Sequence, residues 1–253
     1  MISKFVSLLS LVCFMSLLTP LAQAEPEVPI FTQNTRILFQ GDSITDGNRG
    51  RSADPNHILG HGYVFIIAAK YGAQMPERRL SFMNRGISGN KVSDLLGRWQ
   101  TDTLDLKPDV LSILIGVNDA SAGVPLDKYE ADLDKLMQDT LAANPNTCLV
   151  LCEPFTLPGT VHKDDWITWR ANIQSRQDAV ARLASKYQVP LVHFQRAFDE
   201  AIKRAPANYW IWDTIHPTYS GHQIMADEWV RTVSQFHFPA KPFVPVPTVA
   251  APQ

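Results

Sequence analysis

The chain has 253 residues, of which 45% are hydrophobic and 19% are charged, and its formal net charge is -2. These values are typical of a soluble globular protein. The positive and negative charges nearly balance, so nothing in the composition indicates a polyanionic partner, and we expect no binding of nucleic acid.

The first 24 residues have the pattern of a secretory signal peptide. Lys4 precedes an apolar run, Pro20 interrupts the chain after that run, and the small-x-small sequence at 22–24 forms a cleavage site. A membrane anchor is the alternative, but the run is shorter than the roughly 20 residues that a spanning helix needs. We therefore expect cleavage after Ala24 and a mature protein that is secreted or periplasmic, with no membrane span.

Short apolar segments after this point are predicted to form β-strands. In chain order, they are 36–40, 81–84, 109–115, 147–153 and 190–194. The third and fourth are nearly continuous apolar runs, which favours central strands that are covered on both faces. Cys148 and Cys152 lie four positions apart in the fourth segment, roughly 13 Å in a strand. We expect buried thiols there, because a disulfide cannot bridge that distance.

Segments with helical periodicity separate the strands. They are 63–71, 92–99, 126–143, 164–187 and 220–236. Alternating strands and helices predict parallel strands with right-handed crossovers and helices on both faces of the sheet. We therefore expect one α/β domain over residues 25–238, followed by a Pro-rich extended tail over 239–253.

A serine follows the first predicted strand, inside the sequence Gly-Asp-Ser-Ile-Thr-Asp-Gly at 41–47. Ligand sites gather at the carboxyl ends of parallel strands, and Gly41 and Gly47 allow the chain to turn tightly around Ser43. The Gly-x-Ser-x-Gly elbow of the α/β-hydrolases is not formed, because Thr45 occupies the second glycine position. Taken alone, this segment is equally consistent with a simple turn.

Asp213 and His216 lie three positions apart near the end of the chain. A serine hydroxyl needs a base to accept its proton, and an imidazole base needs a carboxylate on its other nitrogen. Pro217 biases His216 away from helix, which favours a tight turn that brings the pair together. We predict a catalytic triad of Ser43, Asp213 and His216. A surface Asp–His pair at a helix entrance is the alternative, and Asp46 is a less favoured candidate for the acid.

Two further loops supply candidate hydrogen-bond donors for an oxyanion. Gly89 follows the second predicted strand and exposes a backbone N–H, and Asn118 follows the third strand and carries a side-chain amide. With the N–H of Ser43, they make three donors of the kind that stabilise a tetrahedral intermediate. For each loop alone, a glycine turn and an Asx-type cap are the alternatives.

These four segments, in this order, resemble the four sequence blocks of the SGNH (GDSL) hydrolase family. The Ser, Gly, Asn and His of the family match Ser43, Gly89, Asn118 and His216, and the triad acid matches Asp213. The resemblance covers nearly the whole chain after the predicted signal. It implies a flavodoxin-like three-layer α/β/α sandwich with a five-stranded parallel sheet, and ester hydrolysis without a metal or an organic cofactor.

Longer stretches are similar to the bacterial acetylxylan esterase branch of this family, above all 84–99, with 60–63 and 221–222. This similarity implies removal of short acyl groups, chiefly acetyl, from carbohydrate such as a plant cell-wall polysaccharide. Two other functions remain open. One is a lipid-acting esterase, lysophospholipase or thioesterase with the same triad, and the other is a carbohydrate-binding protein without turnover.

Three aromatic residues are predicted to contact the substrate. Trp210 and Trp212 flank the Asp213 turn and can stack on sugar rings, although core packing is the alternative for both. Tyr63 belongs to a stretch shared with the acetylxylan esterase branch. The histidines form no HExxH-type pattern, so we expect no catalytic metal, and no feature of the sequence specifies an oligomeric state. We expect Asp42, Asp46 and Asp119 to hold the loops around the site by hydrogen bonds to backbone N–H groups. We expect His222 to cap or support the last helix.

Overall fold

The computed structural model describes residues 28–236. The predicted signal peptide at 1–24 and the predicted tail at 239–253 lie outside the described residues. The strands are β1 (Arg36–Gly41), β2 (Ser81–Asn84), β3 (Val110–Leu114), β4 (Cys148–Cys152) and β5 (Leu191–Val192). They form one parallel sheet in the order β2-β1-β3-β4-β5.

The sheet follows the apolar runs of the sequence. β3 and β4, the nearly continuous runs, are interior strands in which every residue is buried. Leu38, Leu111 and Leu149 are paired in register across β1, β3 and β4. Because side chains alternate along a strand, these three leucines point to one face of the sheet, and Ile37 and Phe39 point to the other.

Helices connect the strands and cover both faces. The longer helices are α2 (Tyr63–Gln74), α3 (Val92–Trp99), α5 (Leu126–Ala143), α6 (Trp166–Tyr187), α7 (Phe194–Ala201) and α9 (Tyr219–Gln235). The shorter ones are α1 (Ser43–Asp46), α4 (Val117–Ser121) and α8 (Ala207–Trp210), with a 3₁₀ turn at Pro76–Arg78 and a π-helical turn at Gln100–Leu104. α2, α7 and α9 pack on the Phe39 face, and α3, α5 and most of α6 pack on the Leu38 face. The predicted three-layer α/β/α sandwich is confirmed.

α5 shows how the periodic segments become helices. Its buried side chains recur every three or four positions, with Leu136 and Met137 side by side, which forms one stripe of an α-helix; they are Tyr129, Leu133, Leu136, Met137 and Thr140. The helix ends at Ala143, and its C-cap residue Asn144 directly precedes a proline that cannot continue it. The predicted bounds of this helix, 126–143, are those of the structure.

The end of the sheet differs from the prediction. The fifth strand is only Leu191–Val192, because α7 begins at Phe194. Phe194 and Phe198 lie four positions apart, so a helix places both rings in the core against Phe155. The apolar residue at 194 therefore belongs to a helix face and does not extend the strand.

The strand order creates a crevice beside the carboxyl ends of β1 and β3. The chain moves from β1 to β2 on one side and then to β3 on the other, which is the flavodoxin-like switch point where ligands bind. Cys148 and Cys152 are buried thiols in β4 that form no disulfide, as predicted. Within residues 28–236, the helices are too short or too polar to cross a membrane.

Candidate active site

Ser43 is the first residue of α1, and Asp42 alone separates it from the end of β1. The side chain of Asp42 caps this helix by accepting a hydrogen bond from the N–H of Ile44 at 3.0 Å. A Cβ at Gly41 would collide with the carbonyl oxygen of Leu114 on β3, so glycine permits the close approach of the two strands. The serine is thereby placed at the carboxyl edge of the sheet, on the switch point.

The structure brings the three predicted triad residues together. The Oγ atom of Ser43 lies 2.9 Å from Nε2 of His216, and Nδ1 of His216 lies 2.7 Å from Oδ2 of Asp213. The other carboxylate oxygen of Asp213 accepts the N–H groups of Ile215 and His216 at 2.9 and 2.7 Å. Burial raises the pKa of Asp213, but the hydrogen bonds from His216 and Ile215 outweigh it and leave this pKa below its usual value. The arrangement suits an ionised carboxylate that holds the Nδ1–H tautomer of the imidazole.

The turn that carries Asp213 and His216 has an unusual backbone conformation. Thr214 has a φ of 107°, which β-branched residues rarely adopt and which costs about 1–3 kcal/mol. An antiparallel bridge between Ile211 and Pro217 closes the base of the turn. Thr214 is fully buried, so the surrounding structure must hold it in this conformation.

The three predicted oxyanion donors follow adjacent strands. The N–H of Ser43 is at the start of α1 and has no partner within that helix. Gly89 has a φ of 82°, and a Cβ placed on it would meet no atom within 4 Å, so open space lies beside it. The amide of Asn118 donates one N–H to the carbonyl oxygen of Asn90 at 3.0 Å. This bond orients the amide, and its second N–H remains for a ligand.

Asp46 does not contact the imidazole and is therefore not the triad acid. Its carboxylate accepts hydrogen bonds from Arg51 at 2.8 and 3.0 Å, from the N–H of Arg49, and from the N–H and hydroxyl of Ser88. Burial raises the pKa of Asp46, but Arg51 and Ser88 together lower it below its usual value. Asp46 thus joins the serine segment to the Gly89 loop.

Asp119 supports the same loop from the other side. Its carboxylate accepts the N–H of Val92 at 3.2 Å, which sets the start of α3 just after Gly89. Burial raises the pKa of Asp119 to about 6. With the contacts of Asp42 and Asp46, this confirms that the three acidic residues hold the site loops through backbone N–H groups.

The structure corrects two of the three predicted substrate contacts. Tyr63 is fully buried and lies with its hydroxyl 3.1 Å from Oγ1 of Thr45. Trp210 is also buried, and its indole N–H donates to the carbonyl of Ala205 at 3.2 Å. Both rings fill the core, so neither offers a face to a ligand.

Trp212 is the predicted contact that remains at the surface. Its side chain is 59% exposed, and its ring lies nearly parallel to the ring of His216, with 6.4 Å between centroids. The backbone N–H of Trp212 donates to the backbone carbonyl of His216 at 3.1 Å, which holds this residue beside the triad. One indole face is therefore available where a substrate would approach.

His222 has a role that the sequence interpretation missed. It was expected to support its own helix α9, but Thr218 caps that helix by accepting the N–H of Gly221. The imidazole of His222 instead accepts the N–H of Tyr63 at the start of α2. One feature of the sequence could have indicated this role. The N-cap residue of α2 is Gly62, which has no side chain, so another residue must accept the first N–H groups of that helix.

Among the described residues, no cluster of three or more His, Cys, Asp or Glu side chains is arranged to hold a metal ion. The polar groups at the site are instead arranged as a nucleophile, a base, an orienting acid and hydrogen-bond donors. This set of groups is suited to acyl transfer through a serine.

Comparisons with known proteins identify the family to which this chain belongs. The model of the GDSL-like Lipase/Acylhydrolase family matches residues 39–224. An acetylxylan esterase of Geobacillus stearothermophilus is 33% identical over 210 residues, which cover 78% of this chain and 93% of that protein. A crystal structure of a GDSL-like lipase from Parabacteroides merdae has a TM-score of 0.75 and 39% identity, and the match covers 80% of this chain and 96% of that one. The crystal structure of Axe2, an acetylxylan esterase from G. stearothermophilus, has a TM-score of 0.72 and 32% identity over 82% of this chain and 97% of that one. The chain therefore belongs to the GDSL-like lipase/acylhydrolase family and is a carboxylic ester hydrolase.

Proposed function

We propose that this hydrolase removes acetyl and other short acyl groups from carbohydrate, with acetylated xylan or its oligosaccharides as the first candidate. The hydrogen-bonded chain from Ser43 through His216 to Asp213 is the observation that supports the catalytic part. The similarity to acetylxylan esterases supports the substrate class. Two mutant structures of Axe2 are those of an acetyl-xylooligosaccharide esterase, and two others are catalytic mutants in which a serine or an aspartate is replaced by alanine.

In the proposed mechanism, Nε2 of His216 takes the proton of Ser43 as the serine oxygen attacks the acetyl carbonyl. The carbonyl oxygen becomes an oxyanion, which accepts hydrogen bonds from the N–H groups of Ser43 and Gly89 and from the amide of Asn118. His216 then gives its proton to the sugar oxygen as the ester bond breaks, which leaves an acetyl group on Ser43. A water molecule activated by His216 hydrolyses this acetyl-enzyme, while Asp213 stays ionised.

The exposed indole of Trp212 supports a carbohydrate ligand. An aromatic face beside the base can stack on the apolar face of a sugar ring while the acyl group enters the site. The indole adjoins the triad, where it would limit the space for a long acyl chain. A lipid-acting esterase is the second candidate, since the family model is described as lipase or acylhydrolase, and the length of the accepted acyl chain separates the two.

The first experiment measures hydrolysis of p-nitrophenyl esters from acetate to octanoate, together with acetate release from acetylated xylan, pectin and chitin-derived oligosaccharides. We expect activity to fall steeply with acyl length and acetate to be released from a carbohydrate. Ser43→Ala should abolish both activities. Ser175→Ala is the matched control, because Ser175 is a partly exposed residue of α6 whose hydroxyl donates to the carbonyl of Ala171 in its own helix. Retained esterase activity in Ser43→Ala would rule out the mechanism.

We also propose that the enzyme is exported. The apolar segment and cleavage site within residues 1–24 support this location. Expression of the full chain in a bacterium, followed by mass spectrometry of the protein in the periplasm and medium, tests the proposal. A protein that keeps residues 1–24 and stays in the cytoplasm would contradict it.

A further inference from the structure

The strained turn at Thr214 is held by hydrogen bonds from a second loop, residues 156–161, which has no part in the proposed mechanism. We call this loop the clasp. The carbonyl oxygen of Thr214 accepts hydrogen bonds from the hydroxyl of Thr156 at 2.9 Å and from the N–H of Leu157 at 3.3 Å. The hydroxyl of Thr214 donates to the carbonyl of Val161. In return, the N–H of Val161 donates to the carbonyl of Asp213 at 2.9 Å. The loop from 156 to 161 therefore holds both peptide groups around Thr214.

This clasp leaves no room for the turn to relax toward the loop. A Cβ at Gly159 would lie 2.5 Å from the backbone nitrogen of Thr214, so the two segments are in direct backbone contact. A rotation of φ at Thr214 to a common negative value would move Asp213 relative to Ile215 and His216. The carboxylate would then lose the two backbone N–H groups that fix it. The alignment of acid and base thus depends on what holds Thr214.

Thr156 is the best fixed residue of the clasp. Its hydroxyl accepts the indole N–H of Trp169 at 2.8 Å, so its own proton is directed to the carbonyl of Thr214. Its backbone N–H donates to the side chain of Gln195 at 3.0 Å, and Gln195 donates back to its carbonyl at 3.1 Å. These residues are all buried, namely Thr156, Trp169, Gln195 and Thr214. A chain of buried hydrogen bonds therefore connects α6 and α7, through Thr156, to the turn that carries Asp213 and His216.

We propose that Thr156 is a positioning residue for ester hydrolysis. Its hydroxyl holds Thr214 in the left-handed region and so keeps the carboxylate of Asp213 on the imidazole of His216. This inference rests on the proposed function of Ser43, Asp213 and His216. Thr156 itself touches neither the substrate nor the reacting atoms, so it acts through the geometry of the turn.

The test replaces Thr156 by valine, which has nearly the same shape but no hydroxyl. We expect kcat for p-nitrophenyl acetate to fall about ten- to a hundredfold, because small displacements in a triad cost rate. We expect KM to change by less than about threefold, since no ligand contact is removed. Thr156→Ser keeps the hydroxyl, and its kcat should stay within about threefold of the wild-type value.

Thr140→Val is a matched control. Thr140 is a buried threonine whose hydroxyl also accepts an indole N–H, that of Trp99 at 3.1 Å, and donates to a backbone carbonyl, that of Leu136 at 2.7 Å. It belongs to α5 and faces Trp99 of α3, on the face of the sheet opposite to that of Trp169. Thr140→Val should lower Tm about as much as Thr156→Val does, but its kcat should stay within about twofold of the wild-type value. An equal loss of kcat in both variants would reduce the role of Thr156 to general stability.

A spectroscopic readout reports the alignment directly. The proton on Nδ1 of His216, shared with Asp213, should give a low-field proton NMR signal in wild type, Thr156→Ser and Thr140→Val. We expect this signal to weaken or exchange faster in Thr156→Val. If Thr156→Val does not fold, Trp169→Phe removes the indole N–H together with part of the ring, keeps the hydroxyl of Thr156, and should lower kcat about three- to tenfold. Full activity with an unchanged signal in either variant overturns the proposal.

Failure of the proposed function is recognised separately. In that case, the wild-type enzyme neither hydrolyses the esters nor reacts with a serine-directed phosphonylating reagent, and Ser43→Ala has no further effect. Failure of the inference about Thr156 leaves the wild type active and Ser43→Ala inactive, with Thr156→Val indistinguishable from wild type.

Discussion

The Nδ1 atom of His222 accepts a hydrogen bond from the backbone N–H of Tyr63 across 3.2 Å, although 159 positions separate the two residues. A protonated imidazole cannot accept at that nitrogen, so the cap on α2 requires a neutral ring. Burial, with smaller effects of His61 and His216, lowers the pKa of His222 from 6.5 to about 4. The folded protein therefore resists protonation of this residue.

Stability should consequently fall as the pH decreases from about 6.5 to about 4. In this window, the unfolded chain takes up a proton at His222 and the folded chain does not, which favours unfolding. The difference between a pKa of 6.5 in the unfolded chain and about 4 in the folded chain corresponds to a decrease in the free energy of unfolding on the order of 3 kcal/mol. Urea unfolding at about pH 4.5 and pH 7.5 measures it, with His222→Asn as the variant that accepts the Tyr63 N–H but does not titrate. The same pH dependence in both proteins would contradict this role of His222.

Asp42 should show the opposite pH dependence. Burial, opposed by the N–H of Ile44 and by His216, raises the pKa of Asp42 from 3.8 to about 7. Its Oδ2 atom has no hydrogen-bond partner within residues 28–236. Between these two pH values, the folded chain keeps a proton that the unfolded chain has released, so Asp42 favours folding at low pH and this contribution is lost as the pH rises through 7.

Asp42→Asn isolates this effect, because the amide stays neutral and keeps an oxygen for the N–H of Ile44. Between about pH 4 and pH 8, the free energy of unfolding of the variant should gain on the order of 3 kcal/mol relative to wild type. Denaturant unfolding of both proteins across this range measures the gain. Parallel curves would show that Asp42 is ionised in the folded state throughout.

Asn118→Ala should remove one donor to the oxyanion. We expect kcat to fall about a hundred- to a thousandfold, which corresponds to roughly 2.7–4 kcal/mol of barrier, with little change in KM. Asn118→Asp retains the shape but not the donor, and should be at least as impaired. Steady-state kinetics with p-nitrophenyl acetate provide the measurement. A loss of less than about threefold in both variants would mean that the amide holds Asn90 and does not contact the oxyanion.

Trp212→Ala should separate carbohydrate recognition from chemistry. If the exposed indole stacks on a sugar ring, the variant should lose about ten- to a hundredfold in kcat/KM for acetylated xylooligosaccharides but less than about threefold for p-nitrophenyl acetate. Tyr187→Ala is the control, because this partly buried aromatic at the end of α6 pairs with Asp134 away from the site. Equal losses on both substrates would assign Trp212 to the support of His216 instead.

Local sequence was sufficient for most of the secondary structure. The segments that became β3, β4 and α5 have long apolar runs or a clear helical stripe, and their predicted bounds lie within one residue of the observed ones. α7 was missed because Phe194 follows β5 without a turn residue between them. The apolar pattern alone cannot place the boundary there, since Phe194 suits either element.

The exposure of the two tryptophans near the triad could not be predicted from the local sequence. Trp210 and Trp212 are two positions apart and flank the same turn, yet one is buried and the other is 59% exposed. Their difference arises because Trp210 ends α8 and packs inward, while Trp212 lies beyond it next to His216. Nothing in the residue types distinguishes them.

The amino-acid sequence by itself determined the α/β layers, the strand-end positions of Ser43, Gly89 and Asn118, and the proximity of Asp213 to His216. These depend on apolar periodicity and on short spacings, which act within a few residues of the chain. Only the tertiary structure decided that His216 meets Ser43, that His222 caps α2, and that a loop near 156 holds the strained turn. Such contacts join residues tens to more than a hundred positions apart, and their geometry is set by how the helices pack on the sheet.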